Sequence, residues 1–176
     1  MAAIDLTALF IAQAEHTLKQ VYLPSIVTCL EGLSSQQIWW RPNPASNSAG
    51  NLVLHLSGNL RQWIVSGLGG AADTRQRDQK FAEPRPLSRR VLVSRLRKTV
   101  QESCRVLDKL TVADLARVYT IQGFHVTGLE AAFHVTEHFS HHAGQIILIT
   151  KMLENRDLEF THLPGEKKKK AVTRKQ

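Results

Sequence analysis

Thr127–Gln145 reads TGLEAAFHVTEHFSHHAGQ. It opens on Thr127-x-x-Glu130, a capping box. In such a box the hydroxyl and the carboxylate each accept a backbone N–H that a helix start leaves unpaired. A helix is therefore predicted from here to about Asn155. Four of the chain's eight histidines crowd into nine residues of it: His134, His138, His141 and His142.

The rest of the chain holds three more long helical segments and almost no strand signal. The first runs from about Asp5 to Leu33, with Leu6, Leu9, Phe10, Leu18, Val21 and Ile26 at helical spacing. Pro24 must kink or reset it, because proline lacks the backbone donor and clashes with the preceding turn. A short helical turn at SSQQIWW opens with Ser34-x-x-Gln37, and RPNPASNSAG then breaks the chain. The second long helix begins near Ser48 and stops at Gly69-Gly70. AADTRQRDQKFAEPRP follows as a long, charged connection, either a functional flap or mobile. Ser88 caps the third helix, with Val91, Leu92, Leu96, Val100 and Leu107 assigned to its buried side. A brief turn opens at Thr111-x-x-Asp114. Four helices with unequal connections predict an all-α four-helix bundle with a long loop between helices 2 and 3.

At 176 residues the chain suits one domain with a real hydrophobic core. The net charge of +8 is unevenly placed. Glu166–Gln176 carries six positive charges and one negative, leaving +3 on residues 1–165. Such a tail implies at most weak, salt-sensitive contacts to nucleic acid. Cys29 and Cys104 are far apart and in no metal or redox spacing, which suits a reducing cytoplasm. The N-terminus places Asp5, Gln13 and Glu15 in its apolar run, so it reads as neither signal peptide nor membrane span.

At about 100° per residue, His134 and His142 lie about 40° to either side of His138, and Gln145 falls close to it. His141 is about 60° off that stripe, nearer Glu137. Imidazoles at i and i+4 can reach one cation, but a solvated, hydrogen-bonded stripe fits the helix equally well. A metal needs a third ligand. His55 is the best candidate, on a polar line of the second helix with Asn51, Asn59 and Gln62. Its place at the edge of the apolar sector fits a ligand facing a cleft, and also an exposed histidine. His134-Val-Thr-Glu137-His138 also matches H-x-x-E-H, a zinc-peptidase pattern with Glu137 as base, although five characters match easily by chance. Trp39, Trp40 and Trp63 are either walls of such a cleft or core. Gly144 beside His142 either admits a close neighbour or is a tolerated small residue.

SNSAGNLVLHLSGNLRQWI (Ser46–Ile64) and HVTEHFSHHAGQIILITKML (His134–Leu153) together resemble the DinB/YfiT-like superfamily, in a bacterial branch labelled as a domain of unknown function. LSSQQIWWRPN and the R-x-R-D element at Arg75–Asp78 also look like that branch. The resemblance reaches to about Leu163, which implies a bundle over residues 1–163 and a basic tail over 164–176. It also implies that His55, His138 and His142 hold one divalent ion inside the bundle. Asn59, His134 and Gln145 become supporting positions behind the ligands, and His141 a surface or supporting residue.

Three imidazoles leave coordination positions open, as catalytic sites do, and suit zinc, nickel or iron(II). Characterised members of the superfamily transfer or isomerise with low-molecular-weight thiols. The implied function is a metal-dependent enzyme that activates a thiol or water for transfer or hydrolysis, with no catalytic side chain assigned. The alternative is a non-catalytic metal-binding bundle or a dimeric interaction protein. The expected partner is a small molecule, such as a low-molecular-weight thiol, with homodimerisation left open and no membrane partner.

Overall fold

Asp5 opens the first helix by accepting the Ala8 amide proton at 3.0 Å, and the chain then stays helical to Gly32. Helix α1 (Leu6–His16) passes into a π-helical stretch, π1 (Thr17–Tyr22), and then α2 (Leu23–Gly32). The disruption expected at Pro24 takes this form. The Leu23 amide reaches back to the Leu18 carbonyl, and Pro24 falls in the first turn of α2, where a missing N–H costs little.

The computed structural model describes residues 4–73 and 86–160. The Arg75–Asp78 element, most of the long connection and the basic tail lie outside the described residues.

Side-chain caps set the other helix starts. Ser34 and Gln37 form the capping box of α3 (Ser35–Ile38). Ser48, fully buried, caps α4 (Ala49–Leu60), which continues through a second π stretch, π2 (Arg61–Leu68), up to Gly69. Ser88 caps α5 (Arg89–Leu107), and Thr111 with Asp114 forms the box of α6 (Val112–Ala116). The capping box Thr127–Glu130 opens α7 (Gly128–Glu154), which ends on Asn155 in the left-handed region.

One element was not expected. Val118–Ile121 (β1) and Phe124–Thr127 (β2) form an antiparallel hairpin, with Val118 opposite Thr127 and Ile121 opposite Phe124. Gln122 (φ 55°) and Gly123 (φ 84°) make its turn, both positive as a tight two-residue connection requires. The bundle is otherwise helical, as expected.

Helices α2 and α4 each pack against both α5 and α7, so α5 lies diagonally across the bundle from α7. Phe139 and Ile146 of α7, Ile26 and Leu30 of α2, Leu56 and Leu60 of α4, and Leu92 and Leu96 of α5 meet in the core. Each such side chain contributes roughly 1.5–3 kcal/mol when fully buried. Val91, assigned to the buried side of α5, is instead 39% exposed. It lies about 100° from Leu92 on the side away from Leu96, so it cannot share their face. Leu6, Leu9 and Val21 are exposed as well. Among the described residues no helix is long and apolar enough to cross a membrane.

Candidate metal centre

Helix α4 is buried almost all round: of its twelve residues, all but His55 are buried. His55 thus marks the place where α4 opens toward a partner other than the core. That partner is α7. The Nε2 atoms of His55 and His138 are 2.9 Å apart, and those of His142 and His138 are 3.2 Å apart. One nitrogen from each of the three residues lies within 4.8 Å of the other two. The rings pack at centroid distances of 4.8 Å (His55–His138), 4.8 Å (His55–His142) and 4.5 Å (His138–His142).

This convergence fits a small divalent cation. Tetrahedral imidazole ligands about 2.0–2.1 Å from zinc place their nitrogens about 3.3 Å apart, close to the two spacings above. The two donors of α7 are also held toward the neutral form. Burial, and then the neighbouring imidazoles His142, His55, His134 and His141, hold His138 down to about 3. Burial lowers His142 too, with His141 adding to it and Gln145 opposing. Neutral imidazole is the form that binds metal.

Gln145 orients one of the three. Its Oε1 accepts the Nδ1 proton of His142 at 2.7 Å, which leaves the lone pair on the Nε2 that faces His138. The same amide donates from Nε2 to His141 at 3.2 Å, so the exposed His141 braces Gln145. His138 has no such brace: its buried Nδ1 has no hydrogen-bond partner among the described residues.

His134 stands beside the three and not among them. Its Nε2 accepts from the Asn59 amide at 3.4 Å, and its ring lies 5.4 Å from that of His138. Asn59, placed by the sequence behind a ligand, therefore reaches His134. Burial lowers His134, against the opposing charge of Glu137. Glu137 itself is exposed, and His134 is not one of the three converging histidines, so the H-x-x-E-H arrangement does not assemble.

Of the three tryptophans, Trp63 borders the site, its ring 4.1 Å from that of His134. Trp39 lies against Gly50 and donates its indole N–H to the Leu87 carbonyl, while Trp40 is exposed. A Cβ added at Gly144 would meet nothing within 4 Å, so no close neighbour explains that glycine. Cys29 and Cys104 are free and buried, and burial pushes both thiols up, Cys104 to about 12. Neither thiol is poised to ionise.

Phe124 of the hairpin, not singled out in the sequence, stacks on Trp63 at a ring separation of 6.5 Å. The available signal was the alternation Val118-Tyr-Thr-Ile, then Gln-Gly, then Phe-His-Val-Thr.

Comparison with known proteins agrees with the helical architecture. Three solved structures share the fold. A conserved protein from Enterococcus faecalis matches with a TM-score of 0.70 and 16% identity, over 88% of this chain and 100% of that one. A DinB-like protein from Bacillus subtilis matches with 0.63 and 20%, over 83% and 95%. A DinB-like protein from Bacillus cereus matches with 0.61 and 19%, over 77% and 87%. No curated protein matches. The family model described as "Protein of unknown function (DUF1572)" matches residues 5–167. A helical bundle shared with DinB-like proteins and a family match over nearly the whole length lead to one assignment: the chain belongs to the DUF1572 family and has a DinB-like fold.

Proposed function

We propose that this protein holds one divalent metal ion on His55, His138 and His142 and acts as a metal-dependent enzyme of the transferase or hydrolase type. The reading is carried by one observation: three imidazoles from two helices converge, with the His138 Nε2 atom 2.9 Å from that of His55 and 3.2 Å from that of His142. Three protein ligands would leave room for a substrate, where a structural site is closed by four.

When bound, such an ion supplies Lewis acidity that favours the deprotonated form of a thiol or water. The chain's own residues hold and border the centre. Gln145 keeps His142 in the tautomer that presents Nε2. His134, steadied by Asn59, places a neutral ring beside the ligands, where it can offer a hydrogen bond. Both cysteines are buried and held protonated, so a thiol used here would come from a small-molecule substrate.

Metal analysis after gentle purification tests the first half. About one divalent ion per chain is expected, with most of it lost in His55→Ala and in His138→Ala. Absence of stoichiometric metal, with none taken up on titration, would refute the reading. The second half is tested by metal-dependent consumption of a low-molecular-weight thiol with an aryl halide. Stoichiometric metal without turnover across thiols and esters would leave a metal-binding bundle and remove the enzyme.

A further inference from the structure

The positive charge of the bundle is gathered on one helix. Six basic residues and one acidic lie on α5, an excess larger than the +3 of residues 1–165 together. Isolated cations on a helix face are ordinarily hydrated and nothing more. Three of the bundle's cations are arranged otherwise, around a cavity of about 240 Å³ between α4 and α5.

Arg95 and Lys98 line this cavity from α5, and Arg61 lines it from the start of π2. Small residues leave the space open: Ser57 and Thr99, both buried, stand where larger side chains would fill it. Their hydroxyls donate to carbonyls of their own helices, Val53 at 2.9 Å and Arg95 at 3.0 Å. Neither hydroxyl has a proton left for a ligand, so recognition falls on the three cations.

Those cations have donors to spare. Among the described residues Glu102 is the one carboxylate lining the cavity. Its two oxygens lie 3.5 Å from Arg61 Nη1 and 3.9 Å from Lys98 Nζ, both longer than a good hydrogen bond. Arg95 forms no ion pair among the described residues. An arginine has five N–H donors and a lysine three, so one carboxylate cannot engage all three groups. Three cations against one carboxylate leave two positive charges uncompensated.

We propose that this cavity binds the phosphate group of a small molecule. A pocket for a whole drug-sized ligand takes roughly 300–1,000 Å³, so the smaller space here suits one such group. Guanidinium forks match phosphate oxygens, and a dianion balances the two uncompensated charges. The site lies where α4 meets α5, whereas His55 meets α7, so it is separate from the three-histidine centre.

Calorimetric titration of the full chain with sodium phosphate at pH 7.5, with ionic strength held constant by potassium chloride, tests the site. One phosphate per chain is expected. Its affinity should fall about tenfold in Arg95→Gln and in Arg61→Gln, the scale of one charge-assisted hydrogen bond. Arg90→Gln removes the same charge from an exposed position outside the cavity and should leave the affinity unchanged. Glu102→Gln removes the competing carboxylate and should tighten binding about fivefold, the scale of one like-charge contact in water. Glycerol 3-phosphate, titrated in the same way, identifies the source. Binding of both compounds assigns a phosphate ester, binding of inorganic phosphate alone assigns the free ion, and either supports the site.

No saturable binding of either compound would overturn the proposal. So would an equal loss in Arg95→Gln and Arg90→Gln, which would show only a general attraction to the basic chain. Metal uptake should be unchanged in all four variants, so failure here leaves the histidine centre standing.

Discussion

Gln145 accepts the Nδ1 proton of His142 at 2.7 Å and thereby leaves the opposite ring nitrogen bare, 3.2 Å from the Nε2 of His138. Removing such an orienting partner typically weakens metal binding 10–100-fold. Gln145→Ala should weaken zinc by about that factor, measured by competition with a chromophoric chelator, while the fold stays intact. Gln145→Glu, which still accepts a proton at this position, should lose much less. Equal affinities for all three chains would show that packing alone orients His142.

Protonation should oppose folding at this cluster. His138 is lowered from 6.5 to about 3, first by burial and then by the surrounding imidazoles, and burial lowers His134 and His142 as well. In the unfolded chain these rings take up protons near their ordinary value, before the folded chain does. Stability of the metal-free protein is therefore full above pH 6.5 and falls as the pH drops from there toward 3. The urea midpoint followed by circular dichroism should be lower at pH 5 than at pH 7.5. His138→Gln should flatten that dependence, and a wild-type midpoint equal at both values would contradict the buried, neutral cluster.

Two glycines of α7 should respond in opposite directions to alanine. Gly128 sits under α6, where an added Cβ would run into the Asp114 carbonyl oxygen, and its amide already bonds the Arg117 carbonyl. Gly128→Ala should cost about 1–3 kcal/mol, as overpacking does. Gly144 is exposed in the helix interior with open space around it, so Gly144→Ala should gain about 0.5–1 kcal/mol. Thermal unfolding of the pair decides the matter, and metal content should be unchanged in Gly144→Ala.

The hairpin turn offers a fourth test. Gly123 adopts φ 84°, a conformation that a side chain resists. Gly123→Ala should lower stability by about 1 kcal/mol, read from the thermal midpoint. An unchanged midpoint would mean that the turn contributes nothing to the folded state.

Helix starts were legible because caps are local chemistry. Ser34, Ser48, Ser88, Thr111 and Thr127 each accept an amide proton three residues on, so a short window of sequence contains the whole interaction. The His138–His142 pair was legible for the same reason, through helical spacing. His55 meets His138 across 83 residues, a relationship that no local pattern contains. The polar line on α4 suggested it, and the family resemblance supplied the rest. Asn59 was recognised as a polar residue on that line, yet which histidine it reaches depends on how α4 and α7 pack. The hairpin escaped because its strands have only four residues each and its turn begins with glutamine, where asparagine or aspartate would signal more strongly.

The π stretch after α4 carries a further consequence. A hydrogen-bonded turn that closes from i to i+5 holds one residue more than an α turn. Shortening Arg61–Leu68 by one residue would let it relax into ordinary helix. Side chains within the stretch would then point in new directions, because each residue advances by about 100° in an α-helix and by less in the wider π turn. The surfaces that receive Ile121 and the Gln122 amide lie in this stretch, so chain length, as well as residue identity, keeps the hairpin in register with the histidines.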